Sequence, residues 1–311
     1  MNFDLSDDQR DLQEGIRSLL ARALPMTRVR GGLDRAMWDE LAAAGVFGLL
    51  TDGFSWADAA IVFEELGRAA VPGPLACGVL GYDPARAGRI VGGVERPAAG
   101  DPTIIEYPET LDLLVVVDDT GLEALDPVDL DGDPIDWPLD PLTPCATVRR
   151  LPSGEQIGGP AEAARWRLRG AALSAAYAVG LAGRCCDLAV AYATEREQFG
   201  RPIGAFQAVK HLCAEMAVRV EVARVAAHAA AVHLDDPDLG PTERAVSGAK
   251  LLAVEAAIAN GRAATQIHGG MGFTWEVDVH LYLKRAWVLD TTFGTGAEHA
   301  DRVAAAVGCA T

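Results

Sequence analysis

Lysine is nearly absent from this chain of 311 residues, and no long stretch of the sequence is purely apolar. Lys210, Lys250 and Lys284 are the only lysines, whereas 44 acidic residues oppose 27 basic ones and give a net charge of -17. Such acidity argues against nucleic acid or an anionic membrane surface as a partner, because both would repel it. The longest apolar run, near 171–183, is too short to span a bilayer, so we expect no membrane association.

Cysteine and histidine lack the spacings that mark disulfide frameworks and metal sites. There are six residues of each type, without a C-x-x-C or H-E-x-x-H pattern. Buried thiols in a reducing compartment are the favoured interpretation. The chain starts Met1-Asn2-Phe3-Asp4, without the basic and apolar regions of a signal peptide. We therefore expect a cytoplasmic protein with no metal site.

The N-terminal part of the chain has the periodicity of helices. Ser6 and Gln9 predict a capping box at the start of the first helix. Two further helices are predicted over about 34–44 and 56–66, and Gly67 is predicted to end the second of these. A chain of this length can bury a core large enough for two or three sub-domains.

The middle of the chain changes to short β-type runs. Strands are predicted at 103–107, 113–117 and 147–151, with a turn at 118–121. The segment 126–144 is rich in Asp and Pro. It lacks the terminal Glu and the spacing of an EF-hand, so a solvated loop is favoured over a calcium site.

From Pro160 onward the pattern is helical almost without interruption. Long antiparallel helices joined by short turns predict an up-and-down bundle. The predicted fold is mainly α with a small central β-domain and a C-terminal four-helix bundle, in segments 1–75, 76–158 and 159–311. The predicted helices of the last segment are 160–195, 205–235, 241–267, 276–289 and 297–307.

A polar turn with the sequence E-R-E-Q-F-G-R-P-I-G-A-F-Q connects the first two long helices of the bundle. Its glycines and proline stop one helix before the next begins. The turn presents Arg196, Gln198, Phe199 and Gln207 at one end of the bundle. An arginine can bind a phosphate bidentately, and an aromatic ring can stack on a flat one. Taken alone, the turn is explained as well by a polar cap on a helix hairpin.

A second stretch, Q-I-H-G-G-M-G-F at 266–273, follows another long helix. Three closely spaced glycines allow backbone N–H groups to approach a phosphate, although a helix C-cap would explain them equally well. His268 is open to either interpretation, as a capping imidazole or as a cofactor contact. The two stretches together, on neighbouring helices of one bundle, are a specific signal.

Both stretches, together with the opening F-D-L-S-D-D-Q-R-D-L-Q-E-G-I-R-S-L-L-A, resemble the acyl-CoA dehydrogenase family. The resemblance is strong over 160–311, fair over 1–75 and poor between them. It implies the family's three-part fold, an FAD cofactor, and α,β-desaturation of an acyl-CoA thioester. Carried over residue by residue, it implies that the FAD is contacted by Arg196, Gln198, Phe199, Gln207, Gln266, Gly269, Gly270 and Thr295.

The catalytic base implied by the resemblance is missing. The family carries a Glu in a Y-E-G-T loop before the last helix, whereas the matching run here places Phe293 at that position, and phenylalanine cannot accept a proton. A second position used by some members falls near Gly170, where there is no carboxylate. Such a base needs an apolar, water-poor pocket. Asp290 is a substitute candidate, weighed against a solvated or capping role.

The β-domain also departs from the family, because the T-E-P-x-x-G-S-D and W-I-T-N segments that contact the flavin ring and the thioester pocket are absent. With both losses, the chain resembles the short partner subunits of actinobacterial heteromeric (α2β2) acyl-CoA dehydrogenases of sterol breakdown. On this hypothesis a second acyl-CoA dehydrogenase-like subunit supplies the base, and this chain completes its FAD site. The alternatives are a self-sufficient homo-oligomeric enzyme with a non-standard base and a non-catalytic scaffold.

Overall fold

The computed structural model describes residues 4–98 and 100–308. The fold is mainly helical with a small β region, as the sequence predicts. The helices are Asp7–Ala23 (α1), Met26–Val29 (α2), Arg35–Ala43 (α3), Trp56–Arg68 (α4), Leu75–Leu80 (α5), Pro160–Glu195 (α6), Gln207–Asp235 (α7), Thr242–His268 (α8), Val279–Thr291 (α9) and Gly296–Ala306 (α10). The strands are Val91–Glu95 (β1), Thr103–Glu106 (β2), Leu113–Asp118 (β3), Gly121–Leu125 (β4), Gly132–Pro134 (β5), Cys145–Val148 (β6), Glu155–Gly158 (β7), Glu197–Gln198 (β8) and Arg201–Pro202 (β9).

The chain divides into two compact units, each assembled from segments that are not consecutive. The first contains the chain up to residue 22, residues 56–71 and residues from 171 onward, and the second contains 23–55 and 72–170. This division differs from the three consecutive segments drawn from the sequence, which remain a prediction.

In the first unit, helix α4 packs against α6 at very short distance. A Cβ atom added to Gly67 would lie 2.0 Å from the carbonyl oxygen of Tyr177, and one added to Gly180 would lie 2.0 Å from that of Glu64. The prediction that Gly67 ends its helix is therefore wrong. The helix continues to Arg68, and the glycine is needed for the close approach of the two backbones.

The N-termini of α1 and α4 are capped by side chains in different ways. The predicted capping box of α1 is confirmed, since Gln9 N–H donates to Ser6 Oγ and Ser6 N–H donates to Gln9 Oε1. At α4 the backbone N–H groups of Trp56 and Ala57 both donate to the carboxylate of Asp235, at 2.7 and 3.1 Å. Asp235 is the last residue of α7, so a residue distant in sequence caps α4.

Helices α6 to α10 confirm the five helices predicted after Pro160, with ends that differ by no more than three residues. Helix α6 is long and apolar enough to cross a membrane, but 72% of its apolar window is buried within the protein, as in a core helix. The buried Asn260 side chain donates to the carbonyls of Ala182 and Met216 and so ties α8 to α6 and α7. Arg285 of α9 is buried, and its guanidinium donates to the Tyr177 hydroxyl of α6.

The second unit contains two sheets. One has the strand order β1-β3-β4-β7, in which β1 and β3 are parallel and the remaining pairs are antiparallel. The other is antiparallel with the order β2-β6-β5. The predicted strands at 103–107, 113–117 and 147–151 correspond to β2, β3 and β6. Strands β1 and β7 were not predicted, and β5 lies within the segment expected to be a loop.

The predicted turn at 118–121 is confirmed, and one carboxylate organises it. Asp118 Oδ1 accepts hydrogen bonds from the backbone N–H groups of Thr120 and Gly121 and from the Thr120 hydroxyl. These bonds lower the pKa of Asp118, the Thr120 hydroxyl first among them. The turn closes the β3–β4 hairpin, in which Asp118 pairs with Gly121.

Candidate functional site

A tight hairpin lies between α6 and α7 and carries the first predicted motif. Strands β8 and β9 pair antiparallel, and the two residues at their turn, Phe199 and Gly200, have φ angles of 55° and 76°. Two positive φ angles are typical of a type I′ turn, which glycine adopts freely and phenylalanine does not. The Phe199 side chain is nevertheless 91% exposed. An exposed aromatic held in a strained conformation is a feature of functional sites.

Arg196 directly precedes this hairpin. Its backbone N–H donates to the Tyr192 carbonyl at 2.9 Å, and its own carbonyl accepts from Ile203 N–H at 2.8 Å. The side chain is exposed and forms no ion pair with any residue that the structure describes. A fixed backbone combined with an unpaired guanidinium can receive an anionic ligand. Gln198 is also exposed, and its amide donates to the Glu197 carbonyl.

Phe206 connects the hairpin to the start of α7. Its ring lies edge-on to Phe199, with centroids 6.0 Å apart, and the Arg201 guanidinium lies 4.2 Å from its centroid. The next residue, Gln207, is the first of α7 and is exposed. The structure therefore brings Phe199 and Gln207 to the same end of the bundle, as predicted.

The second motif forms a 3₁₀ turn, Gly269–Phe273, at the end of α8; we call it the glycine turn. Gly269 has φ 59° and ψ −136°, a conformation that glycine alone adopts readily. A Cβ added to Gly269 or to Gly270 would meet no atom within 4 Å, whereas one added to Gly272 would lie 2.5 Å from the Thr265 carbonyl. Gly272 is therefore required by packing, while Gly269 and Gly270 present open backbone.

An aromatic stack joins the two motifs. The rings of Tyr192, in the last turn of α6, and His268, at the end of α8, are stacked with centroids 4.2 Å apart. The His268 ring is buried, and its Nδ1 lies 2.8 Å from the Ala264 carbonyl, so this imidazole packs and bonds within the helix end. Gln266, which precedes it, is exposed. The two stretches thus lie at one end of one bundle.

Thr295 lies at a different place, as the N-cap of α10. It forms a complete capping box with Glu298, in which the Glu298 N–H donates to the Thr295 hydroxyl and Thr295 N–H donates to the Glu298 carboxylate at 2.7 Å. These bonds lower the pKa of Glu298, the Thr295 backbone N–H first among them. The Thr295 hydroxyl therefore serves the helix, and its contact with a cofactor remains a prediction.

Phe293, at the position where the family resemblance implies a base, also has a positive φ of 58°. Its carbonyl lies 3.1 Å from Nε2 of the buried His299, whose Nδ1 lies 3.1 Å from the Ser247 hydroxyl. Burial first, and then the charges of Arg302 and Lys250, lower the pKa of His299 to about 4. A neutral imidazole therefore donates to Phe293 and holds the loop in its left-handed conformation.

Lys250 reaches the same region from α8. The residue is 1% exposed, and its ammonium donates to the Leu289 carbonyl. Burial lowers its pKa to about 7, and the nearby Asp290 opposes that shift. Asp290 thus lies near the Lys250 amine, not in the purely apolar pocket that the substitute-base role requires. The predictions from the sequence do not include this cluster of Lys250, Asp290 and His299. Its one signal in the sequence is a single lysine within an apolar helix.

A groove of about 380 Å³ runs along α8 in this region; we call it the α8 groove. Its lining extends from Lys250 to Arg262 and includes the apolar side chains of Val254 and Ile258, with Asp290 of α9 at one end.

The structure describes no group of three or more His, Cys, Asp or Glu residues that could hold a metal ion in residues 4–98 and 100–308. The five cysteines in these ranges are free. Burial raises the pKa of Cys77 and of Cys145 to about 12, so both thiols are poor nucleophiles. Cys309 lies outside the described residues.

Comparison with known proteins gives a consistent result. The family described as "Acyl-CoA dehydrogenase, C-terminal domain" matches residues 162–308. The chain is 33% identical over 309 residues to acyl-CoA dehydrogenase IpdE2 of Mycolicibacterium smegmatis, covering 91% of this chain and 93% of that protein.

Solved structures share the fold over the whole chain. The ChsE4–ChsE5 complex from Mycobacterium tuberculosis contains a chain with a TM-score of 0.84 and 20% identity, with 100% of both chains covered. A variant of the Tcur3481–Tcur3483 steroid ACAD gives a TM-score of 0.81 at 21% identity, covering 98% of this chain and 99% of that one. At these identities the two structures establish a common fold.

Proposed function

Because the chain belongs to the acyl-CoA dehydrogenase family, oxidoreductases that act on acyl-CoA thioesters, we propose that it is the short subunit of a heteromeric enzyme of this kind. On this proposal it completes the FAD site of a second acyl-CoA dehydrogenase-like subunit that carries the catalytic base. One observation carries the proposal: a bundle end suited to phosphates coexists with Phe293 at the base position.

The residues present fit the diphosphate of FAD. Arg196 offers an exposed guanidinium, and Gly270 is exposed with no atom within 4 Å of an added Cβ, although neither a positive φ nor a close neighbour requires glycine there. A glycine that neither the conformation nor the packing of its own chain requires is expected where a ligand or partner approaches the backbone. Gly269 continues the same open stretch, but its own N–H already donates to the Gln266 carbonyl. When bound, FAD supplies the hydride acceptor for the desaturation.

The remaining predicted contacts would surround this centre. Gln207 and Gln266 are exposed amides that can bond to phosphate or ribose oxygens, and Phe199 offers an exposed ring for stacking. Gln198 stands beside Phe199 on the hairpin. Thr295 belongs to this set only if the FAD approaches α10, where its hydroxyl is already bonded to Glu298.

The proton-accepting role is assigned to the partner subunit. Phe293 has no titratable group, and Asp290 lies beside Lys250. A partner is also suggested by two solved structures of similar fold, the ChsE4–ChsE5 complex and the Tcur3481–Tcur3483 steroid ACAD. An α2β2 assembly in the cytoplasm, without membrane or nucleic acid, is part of this proposal.

The proposed substrate is a sterol-derived CoA thioester. It is supported by the steroid ACAD among the structures of similar fold. The net charge of -17 would repel a polyanionic CoA at long range, so local arginines have to provide the attraction.

The test is to purify the chain alone and co-expressed with a second acyl-CoA dehydrogenase-like protein from the same genome. We expect a colourless lone chain and a yellow complex that oxidises acyl-CoA esters. Arg196→Gln should lower the FAD content of the complex about tenfold or more, since charge-assisted bonds to phosphate are lost.

Arg244→Gln is the matched control, because Arg244 is exposed near the other end of α8. It lies about 36 Å from the glycine turn at 1.5 Å per helical residue. Full FAD occupancy and turnover by the lone chain would overturn the proposal in favour of the self-sufficient enzyme. A complex that forms but stays colourless would favour the scaffold.

A further inference from the structure

The α8 groove lies along the helix that ends in the glycine turn, but it is a separate feature. Its lining repeats at intervals of three to four residues from Lys250 to Arg262, so it follows one side of α8 over about 18 Å. Between Lys250 and Arg262 the apolar part of the lining includes Leu251, Val254 and Ile258.

The charges along the groove are not evenly balanced. At one end the Lys250 ammonium is buried, donates to the Leu289 carbonyl and has the Asp290 carboxylate close by. At the other end Arg262 is exposed and forms no ion pair with any residue in the described ranges. Glu255 also lines the groove, but it is two helical turns from Arg262. The cation left to receive a ligand is therefore Arg262.

The volume limits the size of an occupant. At about 30 Å³ for each water-sized group, 380 Å³ holds about a dozen non-hydrogen atoms. A space of this volume that follows about three turns of helix suits one unbranched chain.

We propose that the α8 groove binds an unbranched medium-chain carboxylate, with its carboxylate on Arg262 and its hydrocarbon chain along Val254 and Ile258. The guanidinium donates two parallel hydrogen bonds to the carboxylate. The hydrocarbon chain of the ligand packs against the apolar lining and is thereby removed from water. Lys250 and Asp290 line the far end. This proposal does not depend on the FAD site, because every residue it uses lies in the groove.

The experiment is isothermal titration of the purified full-length chain with decanoate below its aggregation concentration. Decanoate has the required dozen non-hydrogen atoms. We expect Arg262→Gln to weaken binding about tenfold. Arg244→Gln, the same change on the same helix outside the groove, should leave the affinity unchanged. Ala259→Leu, which adds volume to the lining, should weaken binding several-fold without changing any charge.

Two comparison ligands separate charge from shape. Decanol should bind about tenfold more weakly than decanoate, and that difference should vanish in the Arg262→Gln chain. Butyrate, which keeps the carboxylate and loses most of the chain, should not bind detectably. Equal affinity of the Arg262→Gln and Arg244→Gln chains for decanoate would overturn the proposal. So would equal affinity for decanol and decanoate, or no binding of decanoate to the unmodified chain. Circular dichroism of each variant establishes that the helices are intact.

Discussion

The imidazole of His268 lies flat against the phenol ring of Tyr192, with ring centroids 4.2 Å apart and planes 19° apart. This stack joins the last turn of α6 to the last turn of α8. It therefore fixes the hairpin that follows one helix relative to the glycine turn that follows the other. The hairpin and the glycine turn each resemble an ordinary helix end, and this pair of rings holds them together as one surface.

The glycine turn makes a prediction that separates ligand contact from packing. Gly270→Ala should leave the lone chain as stable as before, or stabilise it by about 0.4–1 kcal/mol, because the backbone conformation suits alanine and nothing lies within 4 Å. The same change should lower the FAD content of the co-expressed complex. Thermal unfolding and the absorbance ratio at 450 and 280 nm measure the two effects.

Gly272→Ala is the control for that experiment. Its Cβ would lie 2.5 Å from the Thr265 carbonyl, so we expect a loss of about 1–3 kcal/mol from overpacking. A Gly270→Ala complex that keeps its full FAD content would remove the glycine turn from the proposed site.

Replacing Phe199 is predicted to raise the stability of the lone chain and to weaken FAD binding by the complex. Phe199→Gly should stabilise the lone chain by about 1 kcal/mol, because a left-handed conformation is unfavourable for phenylalanine and free for glycine. The complex should at the same time retain FAD less well, since the exposed ring is lost. Urea unfolding and FAD dissociation rates test both parts.

Phe273→Gly is the comparison for Phe199→Gly, because Phe273 is also exposed but has no positive φ. It should not stabilise the chain. Stabilisation of both variants by the same amount would mean that the strain at Phe199 is not the cause.

The crossing of α4 and α6 is predicted to tolerate no side chain. Gly67→Ala should destabilise the chain by about 1–3 kcal/mol or more, because the added Cβ would lie 2.0 Å from a backbone carbonyl that is part of α6. Gly15→Ala, in an open position of α1, should instead stabilise by about 0.5–1 kcal/mol. Chemical denaturation of both variants measures the difference, and a neutral Gly67→Ala would contradict the described packing.

The buried Lys250 predicts a pH dependence of stability. Its pKa falls from 10.5 to about 7 on folding, so the unfolded chain binds more protons than the folded chain between those values. Stability should therefore rise with pH from 7 towards 10.5, by on the order of 1 kcal/mol per pH unit, and this contribution is lost as pH falls through that range.

Lys250→Met should flatten the rise in urea-unfolding free energy between pH 7 and pH 9. The comparison stops at pH 9 because buried thiols such as Cys77 begin to act in the opposite direction above it. Equal slopes for the two chains would show that the Lys250 amine is not desolvated as described.

The sequence predicted the bundle well and its polar interior poorly. Helices such as α6 and α7 have ends marked by proline and glycine, and their apolar periodicity is unbroken. Gly67 was misjudged because a glycine at a helix crossing and a glycine at a helix end look alike in sequence. Strand β1, with two glycines in five residues, lacks the β-branched run that indicates a strand.

The candidate site was predictable where the motif is local. Arg196 and Phe199 lie on a turn whose glycine and proline determine its shape. The Lys250 and His299 cluster was not predictable, because its members meet through the packing of α8 on α10. Periodicity in a single helix carries no information on which distant side chain it will face.

The cap that Asp235 places on α4 has a consequence for the order of synthesis. The α4 N-terminus gains its side-chain acceptor only after the ribosome has added about 180 further residues. Until then α4 lacks this cap, which is typically worth about 1 kcal/mol. Helix α4 therefore reaches its full stability only after α7 is complete, and a chain cut short before Asp235 should have a less stable α4.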